Sequence, residues 1–319
     1  MCRTSILLGS ELAKYGFGGS HPFNNNRMEA FWKKFLELVP DKSLIEVVEP
    51  IAADEDTILS FHDKSYVDLV KRYSHLGSGY LDTSDTPVYT GIFEAAATVV
   101  GSTLRALETV VEKTKGNQHA FNPIGGLHHA HRGNASGFCV FNDIGIAMLH
   151  ARNKYGLDRI AYVDIDAHHG DGVFYEFECD PLIFIADVHE DGRYLFPGTG
   201  SSEEQGKGDA EGTKLNLPIP PGSTDKEFLS AFNKVERFID EVAKPDLIIF
   251  QCGADCIESD PLTHLKYSPK SHIYASRSLL NLAHKYCDGR IIALGGGGYN
   301  LANIGTAWTN VVFSFITDQ

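Results

Sequence analysis

A chain of 319 residues, 43% hydrophobic and 22% charged, has the composition of a globular protein with a large core. No apolar run reaches the length of about 20 residues that a membrane helix needs, and the opening MCRTSILLGS has one basic residue and a very short apolar run rather than a signal-peptide layout, so no membrane partner and a cytoplasmic location are expected. A formal net charge of −14 argues against nucleic acid as a partner, because phosphate neutralisation needs clustered Lys and Arg; it suits a cationic substrate such as a basic protein tail, or simply solubility.

In chain order, SILLG (5–9) and LIEVVEP (44–50) read as strands, and the segment 91–113, GIFEAAATVVGSTLRALETVVEK, as a helix. QHAFNP (118–123) is the next strand and DIGIAMLHARNKY (143–155) the next helix. RIAYVDID (159–166) and PLIFIADV (181–188) are Ile/Val-rich and nearly continuous, as strands covered on both faces should be. The Gly-rich piece 201–212 reads as a surface loop. The helix at 223–244 opens with Thr224 and Glu227 at capping-box spacing. DLIIFQCG (246–253), a helix at 268–286 and RIIALGGG (290–297) complete the alternation. Strand and helix alternate throughout, so the expected class is α/β with a parallel sheet, in one domain spanning 1–319. Cysteines at 2, 139, 179, 252, 256 and 287 follow no framework spacing and read as free thiols. Cys252 and Cys256 resemble half of a metal site, but no second close pair accompanies them.

Open α/β sheets collect ligands beyond the carboxyl ends of their strands, and the polar oddities of this chain fall there. YVDIDAHHGDG (162–172) puts three aspartates and two histidines at the end of a buried strand. Strand alternation places Asp164, Asp166 and His168 on one face. Bare carboxylates crowded at such a place repel and are costly to desolvate, and a divalent cation removes both problems. Asp166 and His168 can share one metal, which leaves Asp164 to hold a histidine. Asp255, in QCGADC after another strand, completes a three-ligand set; three protein ligands with an open position is the pattern of catalytic zinc. The adjacent His128 and His129 supply two proton-transfer groups, with Asp164 and Asp171 available as orienting partners. LGGGGYN (294–300) is weak evidence by itself, but Tyr299 is a candidate donor to a developing oxyanion.

These motifs, GGLHHAHRGNASGFCVFND, DIDAHHGDG, FPGTG, GADCIESDPL and GGGGYN, stand in an order that resembles the histone deacetylase superfamily, including its acetoin-utilisation and acetylpolyamine amidohydrolase branches. The resemblance covers nearly the whole chain, from HPFNNNR to GGGGYNLANIGTAWT. It implies the arginase–deacetylase α/β fold, with a parallel sheet of about eight strands between helices. It implies Asp166, His168 and Asp255 as ligands of Zn²⁺ or Fe²⁺, His128 and His129 as tandem catalytic histidines partnered by Asp164 and Asp171, and Tyr299 as the catalytic tyrosine. Gly137 and Phe138 in SGFC, with Phe196 in FPGTG, look like the substrate tunnel, Asp85 like a rim aspartate and Arg27 like an inner-channel arginine. The family's K⁺ site would lie near Asp164, Asp166 and His168; Asp187 stands where a serine is usual, which changes the charge of that site. Leu127 before the histidine pair looks like the class I pattern.

The activity so implied is metal-dependent removal of acyl, chiefly acetyl, groups from lysine side chains in proteins or peptides. Three alternatives compete with it. Deacylation of acetylpolyamines or other small acylated amines uses the same machinery, but those enzymes favour an acidic gatekeeper where this chain has Leu262. An arginase-type dinuclear ureohydrolase needs carboxylates where this chain has the histidine pair and Tyr299. An inactive binding module would be expected to have lost a ligand or the tyrosine.

Overall fold

The computed structural model describes residues 3–39, 41–82, 85–113 and 117–317; Cys2 lies outside them. Among the described residues, eight strands form one sheet: β1 (Arg3–Leu7), β2 (Ile45–Val48), β3 (Asn117–Asn122), β4 (Ile160–Asp164), β5 (Ile183–Glu190), β6 (Lys214–Ile219), β7 (Leu247–Gln251) and β8 (Ile291–Leu294). Every pairing is parallel, in the order β2-β1-β3-β8-β7-β4-β5-β6. The helices are α1 (Arg27–Leu38), α2 (Glu55–Leu59), α3 (Lys64–Leu76), α4 (Ile92–Val111), α5 (Asp143–Tyr155), α6 (Asp171–Phe177), α7 (Asp225–Phe238), α8 (Lys270–Tyr286) and α9 (Leu301–Ile316). The arrangement is the expected parallel α/β sheet flanked by helices.

Strand β4 shows why the sheet needs helices on both sides. All five of its residues are buried, and successive side chains enter opposite cores. Ala161 and Val163 pack with Phe31 and Phe35 of α1, Phe232 of α7, Leu279 of α8 and Trp308 of α9. Ile160 and Tyr162 pack with Val67 of α3, Val100 of α4, Ile144 of α5 and Phe174 of α6. Each such aliphatic or aromatic side chain contributes roughly 1.5–3 kcal/mol on burial. Glu227 reaches back from the first turn of α7 to the backbone N–H of Thr224 (2.9 Å), so the capping box forms as expected.

The strands differ from expectation in two places. Strand β6 has no counterpart among the expected strands. It lies at the sheet edge, pairs with β5 and contains Pro218, which an edge strand tolerates because one side makes no ladder bonds. Strand β4 ends at Asp164, two residues before the expected end. Beyond it, Asp164 Oδ1 accepts from the N–H of Asp166 (2.9 Å) and Asp166 Oδ1 from the N–H of His168 (3.0 Å). Side chain-to-backbone turns, rather than strand alternation, aim these residues.

The topology then concentrates chemistry. After β3 the chain passes over two sheet positions to form β4, and β7 and β8 later fill the gap. The loops leaving β3, β8, β7 and β4 carry the histidine pair, the glycine run, Asp255 and the Asp166–His168 turn, so four neighbouring strand ends supply one site.

Candidate active site

Asp166, His168 and Asp255 are buried and can each offer a ligand atom with all three atoms within 4.8 Å of one another. His168 Nδ1 lies 3.0 Å from Asp166 Oδ1 and 3.1 Å from Asp255 Oδ2. Asp255 Oδ1 accepts from the N–H of Ala167 (2.8 Å), and Asp166 Oδ2 accepts from the N–H of Gly297 (2.7 Å) and from Gln251 Nε2 (2.7 Å). A Cβ at Gly297 would collide with the carboxylates of both aspartates, and one at Gly253 with that of Asp166. The two glycines let backbone close around the acids.

The electrostatics of this cluster suit a cation. Burial, and then the neighbouring Asp166, push Asp255 up to about 7. Burial opposes a charge on His168, yet Asp166 and Asp255 push it up to about 10. Without an ion the cluster draws protons to itself, the role a bound divalent metal would take over. Two carboxylates and one imidazole, buried, with no fourth protein ligand in the group, fit an open zinc-type site.

The tandem histidines sit beside this cluster. His128 and His129, on the loop after β3, have ring centroids 4.1 Å apart. His128 Nδ1 lies 2.8 Å from Asp164 Oδ2, and His128 Nε2 lies 4.0 Å from Asp166 Oδ2. His129 Nδ1 lies 2.6 Å from Asp171 Oδ1. Asp171, held as a carboxylate, only accepts, so His129 Nδ1 carries a proton and His129 Nε2 is left as the basic nitrogen. Burial, then the adjacent His128, push His129 down to about 4, so its ring is neutral near pH 7. Asp171 is the first residue of α6, where the helix dipole favours a carboxylate. Burial works against its charge, but His129 and His131 hold it below the usual carboxylate range.

The remaining expected site residues fall into two groups. Phe196 packs edge-on against His129 (centroids 5.0 Å) and faces His168 (6.4 Å), while Phe138 packs edge-on against Tyr299 (5.8 Å). Gly137 is pressed onto His129 and Phe196, with no room for a Cβ. Tyr299 faces His168 (6.5 Å) and donates its N–H to Asp260 Oδ2 (2.8 Å). Leu262 is 38% exposed, and its N–H donates to the other oxygen of the same carboxylate, Asp260 Oδ1 (3.0 Å). Arg27 is fully buried under the glycine run: it donates to the carbonyls of Gly298 (3.0 Å) and Gly296, and lies over the ring of Phe23 (3.9 Å). Asp85 stands apart from the metal-ligand cluster in its contacts. Its carboxylate meets Thr86 Oγ1 (3.2 Å), and burial with the neighbouring Asp82 pushes it up to about 7.

Asp187, expected beside a K⁺ site, has a partner on each carboxylate oxygen. One oxygen accepts from the N–H of Gly170 (2.9 Å), and the other faces His189 Nδ1 (2.7 Å). His189 Nε2 faces the carbonyl of Gly200 (2.9 Å), so both ring nitrogens meet acceptors. Burial disfavours the imidazolium, but Asp187 raises His189 above the ordinary histidine value. Cys252 and Cys256 give their thiols to the carbonyls of Leu294 (3.1 Å) and Gly253 (3.5 Å) and join no cluster with the metal-type residues.

Sequence reasoning missed three supporting residues. Gln251 spans Asp166 and His128 (3.4 Å to Nδ1). Asp260 holds Tyr299 and Leu262. Asp143, buried at the start of α5, accepts from the N–H groups of Gly126 (3.0 Å) and Leu127 (2.8 Å), fixing the loop that presents the histidines. The CVFND run did carry a signal for the last: Asn142 caps α5 through Gly145 N–H (2.8 Å), and its side-chain amide grips the carbonyl of Ala130 (2.8 Å).

Comparison with known proteins places the chain in a family. Residues 21–315 match the model of the histone deacetylase domain. The chain is 39% identical over 318 residues to the acetoin utilization protein AcuC of Bacillus subtilis (strain 168), covering 97% of this chain and 81% of that protein. It is 33% identical over 330 residues to AcuC of Staphylococcus aureus (strain MRSA252), covering 99% and 82%. Among solved structures, the HDA15 HD domain matches with a TM-score of 0.89 at 26% identity, over 99% of this chain and 88% of that one.

Proposed function

Because this chain belongs to the histone deacetylase family, we propose that it is a metal-dependent amidohydrolase that removes acetyl groups from lysine side chains, with Asp166, His168 and Asp255 holding one Zn²⁺ or Fe²⁺. The observation that carries this reading is the pairing of an open three-ligand cluster with His129, whose Nδ1 is locked to Asp171 and whose ring is neutral. A divalent ion held there supplies Lewis acidity toward the amide carbonyl and toward water.

The chain's own groups account for the proton movements. His129 Nε2 accepts the proton of the attacking water, and Asp171 stabilises the imidazolium that forms. That proton then goes to the departing lysine amine. His128, fixed by Asp164, keeps a polarisable ring between His129 and Asp166. The Tyr299 hydroxyl donates to the carbonyl oxygen as it gains charge. Burial pushes this phenol well above its ordinary value, so it stays a donor throughout the working pH range. Gly137, Phe138 and Phe196 wall the path of the acyl-lysine, Asp85 belongs to its rim, and Arg27 closes the inner end. A K⁺ near Asp164, Asp166 and His168 stays part of this reading, with Asp187, which also faces His189 Nδ1 (2.7 Å), adding a carboxylate to that site.

One group of the described residues suits a metal, which disfavours a dinuclear ureohydrolase. The retention of every ligand and of Tyr299 disfavours an inactive module. Leu262 offers nothing to a distal ammonium, which favours acyl-lysine over acetylpolyamine. Acetate release from acetyl-lysine peptides and from acetylspermidine, measured side by side, tests the assignment: the peptides should be preferred. Preference for the polyamine would make the protein a small-amine deacylase, and release from neither would refute the reading.

A further inference from the structure

The wall residue Phe138 sits in a conformation it would not choose. Ser136 and Cys139 exchange backbone hydrogen bonds (3.2 and 2.8 Å), closing a hairpin with two residues at its tip. Those residues, Gly137 and Phe138, both have positive φ, 51° and 69°. A turn with two left-handed residues normally takes Asn-Gly, and a bulky aromatic in the second place needs support from outside. Left-handed aromatic residues persist where the surroundings over-determine them.

Here the support is specific. The Phe138 N–H donates to Thr86 Oγ1 (3.2 Å), and the Thr86 hydroxyl donates to the Asp82 carboxylate. The Phe138 carbonyl accepts from the Tyr15 hydroxyl (2.7 Å), which itself accepts from the N–H of Val140 (3.1 Å). Tyr15 and Thr86 are buried. They arrive from segments 123 and 52 residues away in sequence. Tyr15 is braced edge-on by Phe23 (5.7 Å), and Phe23 in turn meets the Phe138 ring (6.3 Å). Burial pushes the Tyr15 phenol well above its ordinary value, so it keeps its proton.

We propose that Tyr15 and Thr86 are positioning residues that set acyl-chain selectivity: by clamping both peptide groups of Phe138 they hold its ring against Tyr299, on the wall of the proposed acyl-lysine path. This rests on the deacetylase reading. Releasing one clamp frees the turn to relax toward ordinary backbone angles, which withdraws the ring and widens the wall. Tyr15→Phe removes the hydroxyl and keeps the braced ring. Its loss, one buried hydrogen-bonding group, should change the ratio of kcat/KM for butyryl- over acetyl-lysine peptide by about fivefold, through KM more than kcat.

A merely structural Tyr15 would lower stability and leave that ratio alone, so melting temperature is recorded beside it. Thr86→Val, which removes the other clamp, provides a second variant should Tyr15→Phe fail to fold. The Phe138→Ala background gives the decisive control: with the ring gone, adding Tyr15→Phe should leave the ratio unchanged. The inference is supported if both clamp variants raise the ratio and the effect vanishes without Phe138. It is overturned if an active wild type and active clamp variants share one ratio, or if the shift persists in Phe138→Ala. A wild type that hydrolyses neither peptide would overturn the deacetylase reading itself, and the inference with it.

Discussion

Replacing Asp171 by asparagine should disable the protein while leaving its shape and metal intact. Asp171 touches His129 through Oδ1 (2.6 Å) and His131 through Oδ2 (3.4 Å). The short bond to His129 is buried and charge-assisted once His129 takes a proton, so its loss costs roughly 1.5–3 kcal/mol, a factor of about 10 to 150. The neighbouring histidine makes matters worse. Asp171 and then Glu176 push His131 up to about 9, so at neutral pH it is a charged donor. An asparagine at 171 would turn its oxygen to His131 and its NH₂ to His129 Nδ1. That forces the proton of neutral His129 onto Nε2, the nitrogen needed as base. Where an aspartate-to-asparagine change imposes the wrong tautomer on a catalytic histidine, losses reach ~10⁴. The expected fall in kcat/KM for an acetyl-lysine peptide is therefore about 10²–10⁴. The assay is initial acetate release, with metal content and melting temperature determined on the same preparations. A rate within about fivefold of wild type, less than one lost charge-assisted bond implies, would refute His129 as the base.

Other outcomes follow from the same contacts. Tyr299→Phe should reduce kcat by about 10²–10³ with KM and metal content near wild type; loss of metal would show the tyrosine to be structural. His131 has its folded-state value raised from 6.5 to about 9, so its contribution to stability is complete below the lower value and fades as pH rises through the upper one. His131→Gln should thus lose less melting temperature than wild type between pH 6.5 and 9, and equal losses in the two proteins would contradict the ion pairs with Asp171 and Glu176. Leu262→Glu should raise kcat/KM for acetylspermidine relative to acetyl-lysine peptide, by attraction to the distal ammonium; an unchanged ratio would remove Leu262 from the substrate's path.

The central strands were legible because burial on both faces leaves continuous Ile/Val runs, as in β4 and β5. Strand β6 was not, since an edge strand needs neither that continuity nor freedom from proline. Helix α9 was also not singled out; it is largely apolar and starts straight from the glycine run with Asn300 as its cap (3.0 Å to the N–H of Ala302), so no polar stripe announces it. The site was readable where chemistry is packed into adjacent residues, as at Asp164, Asp166 and His168, although turns rather than strand alternation aim them. Gln251, Asp260 and Asp143 escaped notice because Asp166, Tyr299 and Leu127, which they hold, stand at least 16 residues away in sequence. Arg27 could be assigned only by resemblance, as nothing local to α1 reveals that its guanidinium ends on Gly296 and Gly298.

The proposed reaction depends on the metal. Stripping the protein with a chelator, then adding Zn²⁺ or Fe²⁺ stepwise while following acetate release from an acetyl-lysine peptide, tests it directly. Activity should vanish on stripping and return with one equivalent of ion, and Asp255→Ala should neither bind that equivalent nor recover. Full activity in the stripped protein, or in an Asp255→Ala variant without bound metal, would contradict a mechanism built on Asp166, His168 and Asp255.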